Sequence, residues 1–190
     1  MIFLHRQNNS ENVVDCEIDI RSHPDGLVLN HDRLDFNKTY PLLKDFAKQY
    51  AGLSVICNIK ESGIEEEVFE IMSANDINFY FLDSQIPDII RLSKNEKFHG
   101  KFIIRVSDVE EYSEKLINQT KAEFVWIDDC NFKNFNIEEY FERLSRINNN
   151  IKPIIVSPEL YDARFKSIIS DIRPRLTGVS ICTKQPDLWR

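Results

Sequence analysis

Glycine is scarce in this chain, with five residues in 190. Phosphate cradles need glycine where backbone must close on a ligand, and the sequence has neither a P-loop nor a Gly-x-Gly-x-x-Gly fingerprint. The Gly-x-Ser-x-Gly elbow is absent too, so Ser10-Glu11 and Ser157-Pro158-Glu159 do not read as serine-hydrolase nucleophiles. No apolar run approaches the roughly 18 residues of a membrane helix, and Met1–His5 lacks a signal-peptide pattern, so no membrane span and no leader are expected. Lysine and arginine nowhere cluster, and 31 acidic residues outnumber 24 basic ones, a formal net charge of −7. A nucleic acid is therefore not an expected partner, whereas a small phosphate ligand needs only one or two local cations. The four cysteines, Cys16, Cys57, Cys130 and Cys182, show no CxxC spacing and lie in or beside apolar runs. They read as small buried residues rather than zinc ligands or disulfides, which fits a cytoplasmic protein.

What the chain does contain is a regular alternation. Eight short apolar runs read as strands: Ile2–His5, Cys16–Ile20, Leu53–Lys60, Ile77–Asp83, Lys101–Val106, Glu123–Asp128, Lys152–Ser157 and Gly178–Thr183. Amphipathic stretches separate most of them, at Pro41–Tyr50, Glu65–Ala74, Ile86–Ser93, Val109–Gln119, Ile137–Ile147 and Ala163–Ile172. Strands alternating with helices imply parallel pairing, and eight of them imply a compact α/β fold, a (β/α)₈ TIM barrel formed by residues 1–190 as one domain. An open doubly wound sheet is the runner-up. Only ten residues separate His5 from Cys16, too few for a crossover helix with its turns.

The chemistry concentrates between residues 5 and 32. From Val14 to Arg21 the alternation is strict: Val14, Cys16, Ile18 and Ile20 fall on one strand face, Asp15, Glu17, Asp19 and Arg21 on the other. Two carboxylates at i and i+2 point into one small volume, where a divalent cation relieves their repulsion. His5-Arg6 precedes them at the end of the first strand. Asp25-Gly26 reads as a turn, and extended chain through Leu27-Val28-Leu29 leads to His31-Asp32. Asn58 and Lys60 share the face opposite Cys57 and Ile59 at the end of the third run. In a parallel barrel such strand ends converge on the C-terminal mouth. Asp83, Arg105, Trp126 and Asp128 lie near later strand ends as candidates to line the mouth, with Trp126 read as wall or core and the two aspartates equally as strand terminators, while His23 and His99 read as loop residues without a role.

His5-Arg6, Glu17-Ile18-Asp19, Asp25-Gly26 and His31-Asp32 together resemble the signature of glycerophosphodiester phosphodiesterases, a family within the phospholipase-C-like phosphodiesterase barrels. Asn58-Ile59-Lys60 stands in the place of the family's Glu-Ile-Lys strand, and Gly178–Leu188 resembles its closing strand and turn. The resemblance implies His5 and His31 as the general acid/base pair, Arg6 and Lys60 as phosphate ligands, and Glu17, Asp19 and Asn58 around a Mg²⁺ or Ca²⁺ ion. It further implies a small glycerophosphodiester-type substrate, attacked by a neighbouring substrate hydroxyl through a cyclic phosphate or by water. Asn58 replaces a metal carboxylate of the family, Gln7 its glycine after His-Arg, and Lys184 the aspartate of its closing motif. A phosphate-binding or regulatory barrel without catalysis is the alternative, and a barrel enzyme acting on a sugar phosphate is a third reading.

Overall fold

Backbone pairing follows the apolar runs closely. The structure, a computed structural model, describes residues 1–9, 13–129, 136–148 and 150–190, so Ser10, Glu11 and Cys130 lie outside the described residues. Its strands are β1 (Ile2–Leu4), β2 (Cys16–His23), β3 (Gly26–Leu29), β4 (Ser54–Ile59), β5 (Asn78–Leu82), β6 (Ile103–Val106), β7 (Phe124–Ile127), β8 (Lys152–Val156) and β9 (Ser180–Thr183). The helices are α1 (Leu43–Gln49), α2 (Glu65–Ala74), α3 (Ile86–Leu92), α4 (Glu114–Thr120), α5 (Ile137–Ser145) and α6 (Lys166–Ile172). The ladder order is β5-β4-β2-β1-β9-β8-β7-β6, with every neighbouring pair parallel. A parallel bridge between Phe81 and Phe102 brings β5 back to β6. The result is a nearly closed eight-stranded parallel barrel surrounded by helices, a (β/α)₈ fold rather than an open doubly wound sheet.

Period-two alternation sorts the side chains into two cores. Outward residues such as Cys16, Ile18, Ile20, Val55, Cys57 and Ile104 pack under the helices. Inward residues Phe3, Ile56, Tyr80, Phe124, Trp126 and Ile154 fill the lumen. Tyr80 and Phe124 meet edge to face at 4.8 Å between ring centroids, so the lumen is a packed plug and not a pore. Above this plug, at the C-terminal ends of the strands, inward positions carry the charged residues Glu17, Asp19 and Arg105, while Ser54 and Asn78 close it from below.

Local chemistry sets where the elements begin. Ser113 caps α4 by accepting a hydrogen bond from the Leu116 amide, so that helix starts at Glu114 and not at Val109, which is 72% exposed. Asn136 caps α5 in the same way through the Glu138 amide. Three glutamates in the first turn of α2 complement its dipole. Among the described residues between β1 and β2 there is no helix.

Two sequence expectations need correction here. Val14 does not join the buried face of β2: it precedes the strand and is 52% exposed. The extended chain at Leu27–Leu29 is a true strand, β3, antiparallel to β2 with His23 opposite Gly26. Gly26 adopts φ +118°, a backbone open to glycine at little cost, and so tightens this hairpin. His23 consequently ends a strand instead of sitting in a loop, with its side chain buried against Phe36 and Tyr40.

Candidate active site at the barrel mouth

Strand register brings the predicted residues together. Parallel pairing of β2 with β4 places Asp19 beside Asn58, one step above Glu17 opposite Ile56. Both carboxylates are buried. Glu17 accepts hydrogen bonds from Asn58 Nδ2 at 2.9 Å and from the Arg6 amide at 2.8 Å. Burial, and then the Asp19 charge, push its carboxyl up from 4.5 to about 7. Asp19 lies 3.1 Å from Lys60 Nζ through Oδ1 and accepts from Asn8 Nδ2 through Oδ2.

The loop after β1 is bent onto this pair. Arg6 has φ +53°, in the left-handed region that costs a non-glycine residue free energy. That turn aims its amide at Glu17 and its side chain across the mouth. Asn8 docks the loop with two reciprocal bonds, because the Asp19 amide also donates to Asn8 Oδ1 at 2.8 Å. Sequence reasoning missed Asn8, since a loop asparagine carries no periodic signal.

His5 directly follows β1, with its amide bonded to the Thr183 carbonyl. Its ring is largely buried, with Nε2 at 3.9 Å from Glu17. Burial first, then the Arg6 and Lys184 charges, lower its pKa from 6.5 to about 3, so the imidazole is neutral at pH 7. His31 sits opposite, more exposed. Its Nδ1 is 2.8 Å from Asp32 and its Nε2 2.6 Å from Arg6 Nη2. A guanidinium only donates, so the network assigns Nδ1–H to Asp32 and leaves Nε2 as the acceptor facing Arg6. The hydrogen bond from His31 in turn holds the Asp32 carboxyl below its usual value.

The far side of the mouth is an ion-pair network. Asp83, also left-handed at φ +62°, pairs with Arg105 and lies 3.9 Å from Lys60. Arg105 reaches on to Asp128 at 2.5 Å, which also accepts from Trp126 Nε1 at 3.2 Å and Tyr161 Oη at 2.8 Å. Asp83, Arg105 and Asp128 are thus joined at the mouth rather than ending their strands separately, Trp126 belongs to the lumen core and reaches Asp128 through Nε1, and Tyr161 is an addition with no sequence signal. Lys184 follows β9, with its amide bonded to the buried Glu159. His99 stays away, its Nε2 at 3.1 Å from the Ser93 carbonyl.

Among the described residues no three His, Cys, Asp or Glu side chains form a metal-binding group. A cation here would take its third oxygen from the amide of Asn58. Asn58 Oδ1 fits that role: it is buried without a hydrogen-bond partner among the described residues, beside Glu17 and Asp19, where burial and then the Asp19 charge raise the Glu17 pKa. The donor set of Glu17, Asp19 and Asn58 is all oxygen, as Mg²⁺ and Ca²⁺ require. No family model matches the chain, and neither a curated protein nor a solved structure matches it.

Proposed function

We propose that the protein hydrolyses a small glycerophosphodiester-type phosphodiester by histidine acid/base chemistry. The observation that carries this reading is the pair of imidazoles flanking Arg6. His5 is held neutral by burial and Arg6, and His31 is oriented by Asp32 with its Nε2 turned to the Arg6 guanidinium. A phosphodiester repels nucleophiles through its own negative charge, so cations and donors must meet the charge that develops. Arg6 and Lys60 supply that positive charge. An incoming phosphate competes for Arg6 and so frees His31 Nε2 for proton transfer. The bound phosphodiester anion beside His5 raises its pKa toward protonation, so that His5 enters as an imidazolium and protonates the leaving alkoxide while His31 Nε2 accepts the proton of the attacking hydroxyl or water. Glu17, Asp19 and Asn58 would hold a Mg²⁺ or Ca²⁺ ion, which when bound neutralises phosphoryl charge.

A second reading, a phosphate-binding or regulatory barrel without turnover, draws on a different observation. Lys60 and Arg105 already pair with carboxylates, and Asn58 donates its amide where a metal carboxylate is expected. The experiment is turnover of a glycerophosphodiester panel with Mg²⁺ or Ca²⁺ present. His5→Ala and His31→Ala should each lower the rate by about 10²–10⁴-fold, and His23→Ala and His99→Ala should leave it close to wild type. Full activity in the His5 and His31 variants refutes the mechanism. Failure of the wild type to cleave any member of the panel favours the binding reading.

A further inference from the structure

A cleft of about 770 Å³ opens sideways beside the mouth, between α3 and α4. It sits over the barrel's seam, where β5 and β6 meet through the Phe81–Phe102 bridge and no ladder continues above it. Ile86, Pro87 and Ile90 of α3 face Leu116 of α4 across it, over a floor of Ile103 and Ile104. Ile86 is 56% exposed and Ile90 partly so, leaving apolar surface in the cleft open to water. The inner end is polar. Asp83, Ser84 and Arg105 line it, and two of these belong to the mouth already described. Ser84 Oγ is buried there with no hydrogen-bond partner among the described residues, a costly state that a ligand atom would relieve.

We infer that this cleft holds the hydrocarbon arm of a phosphate-bearing amphiphile whose headgroup lies in the mouth. The inference deepens the phosphodiesterase reading and rests on it for the position of the phosphate. Three features select this occupant. The cleft has the size of a small-molecule site. It is continuous with the mouth through Asp83 and Arg105. Its apolar side chains on α3 and β6 adjoin the Asp83–Arg105 pair, so one ligand can set a phosphate against Arg105 and a carbon chain against the isoleucines, with Lys115 and Gln119 of α4 on the polar rim. A docking helix of a partner protein would instead need an apolar face running along an open groove, with no polar end to serve. Each methylene transferred from water into such a cleft contributes favourably, so affinity should climb with chain length.

The test is calorimetric binding of hexyl-, octyl- and decylphosphocholine to the full chain, each kept below its micelle concentration. Affinity should rise by up to about tenfold for each pair of added methylenes. Ile90 belongs to neither hydrophobic core, so Ile90→Glu should fold and should weaken octylphosphocholine binding by roughly tenfold or more. Ile86→Trp, which fills the cleft from its exposed rim, gives an independent variant if Ile90→Glu does not fold. Affinity independent of chain length, or untouched by the folded variants, overturns the inference. So does a dimer in sedimentation that Ile90→Glu dissociates, since a second copy would then be the occupant. Turnover of glycerophosphocholine by the wild type is read in parallel. Turnover without chain-length dependence rejects the cleft and keeps the function, and chain-dependent binding without turnover supports the cleft and rejects the function.

Discussion

Asn8→Ala should destabilise the whole fold, although it removes only a loop side chain. Asn8 Nδ2 donates to Asp19 Oδ2 at 3.0 Å, and Asn8 Oδ1 accepts the Asp19 amide at 2.8 Å. Asp19 is fully buried, so truncation leaves a buried amide and a buried carboxylate oxygen each short of a partner. An unsatisfied buried group costs about 1–3 kcal/mol, and more when charged. Two such groups, with some water admitted to the vacated space, give a loss of about 3 kcal/mol. For a domain of this size that corresponds to a Tm lower by about 6–12 °C. Urea unfolding is readily followed, because both tryptophans, Trp126 and Trp189, are buried and their fluorescence reports loss of packing. Asn9→Ala, an exposed neighbour in the same loop, should fall within about 0.5 kcal/mol of wild type. If Asn8→Ala does the same, the loop is not anchored through Asp19, and the positions of His5 and Arg6 need another cause.

Two further outcomes follow from the carboxylates. Asn58→Glu restores a negative oxygen donor between Glu17 and Asp19, so Mg²⁺ and Ca²⁺ should bind more tightly than to wild type in calorimetric titration; equal affinities, or no binding by either form, count against the site. With EDTA present, Glu17 and His5 oppose each other in stability against pH. Glu17 has its pKa raised from 4.5 to about 7, so it costs stability as pH rises through that window; His5, lowered from 6.5 to about 3, adds stability as pH rises to 6.5. Glu17→Gln removes the first effect only. Its unfolding free energy should therefore gain on wild type between pH 4.5 and 7, and parallel curves would refute the assignment.

Every barrel strand and every helix was legible as a run or an amphipathic stretch, because parallel strands buried on both faces and helices with one apolar face leave strong periodic marks. The departures have local causes. β3 is short and follows a turn, so its four residues read as a connection until they pair with β2. Val109 and Tyr112 looked helical by spacing, but the Ser113 cap starts the helix after them. At the mouth, Glu17, Asp19, Asn58 and Lys60 were legible because alternation fixes which face each occupies. Asn8 and Tyr161 were not, since both come from connections whose path depends on tertiary docking. The pairing of Arg105 with Asp83 and Asp128 was equally hidden: strand order names neighbours but not rotamers.

The seam at Phe81–Phe102 divides the barrel as the lips divide a clamshell. Unrolled, the sheet has β1 and β9 at its centre and β5 and β6 as its free margins, so the spine is the β1–β9 ladder and the lips are β5 and β6. His5, Glu17, Asp19, His31, Asn58, Lys60 and Asp83 ride on one valve, while Arg105, Asp128, Tyr161 and Lys184 ride on the other. The Arg105–Asp83 pair crosses the lips as a latch. An anion that drew Arg105 away from Asp83 would remove this side-chain tie across the lips and leave the Phe81 amide on the Lys101 carbonyl and the Phe81–Phe102 ring contact to hold them.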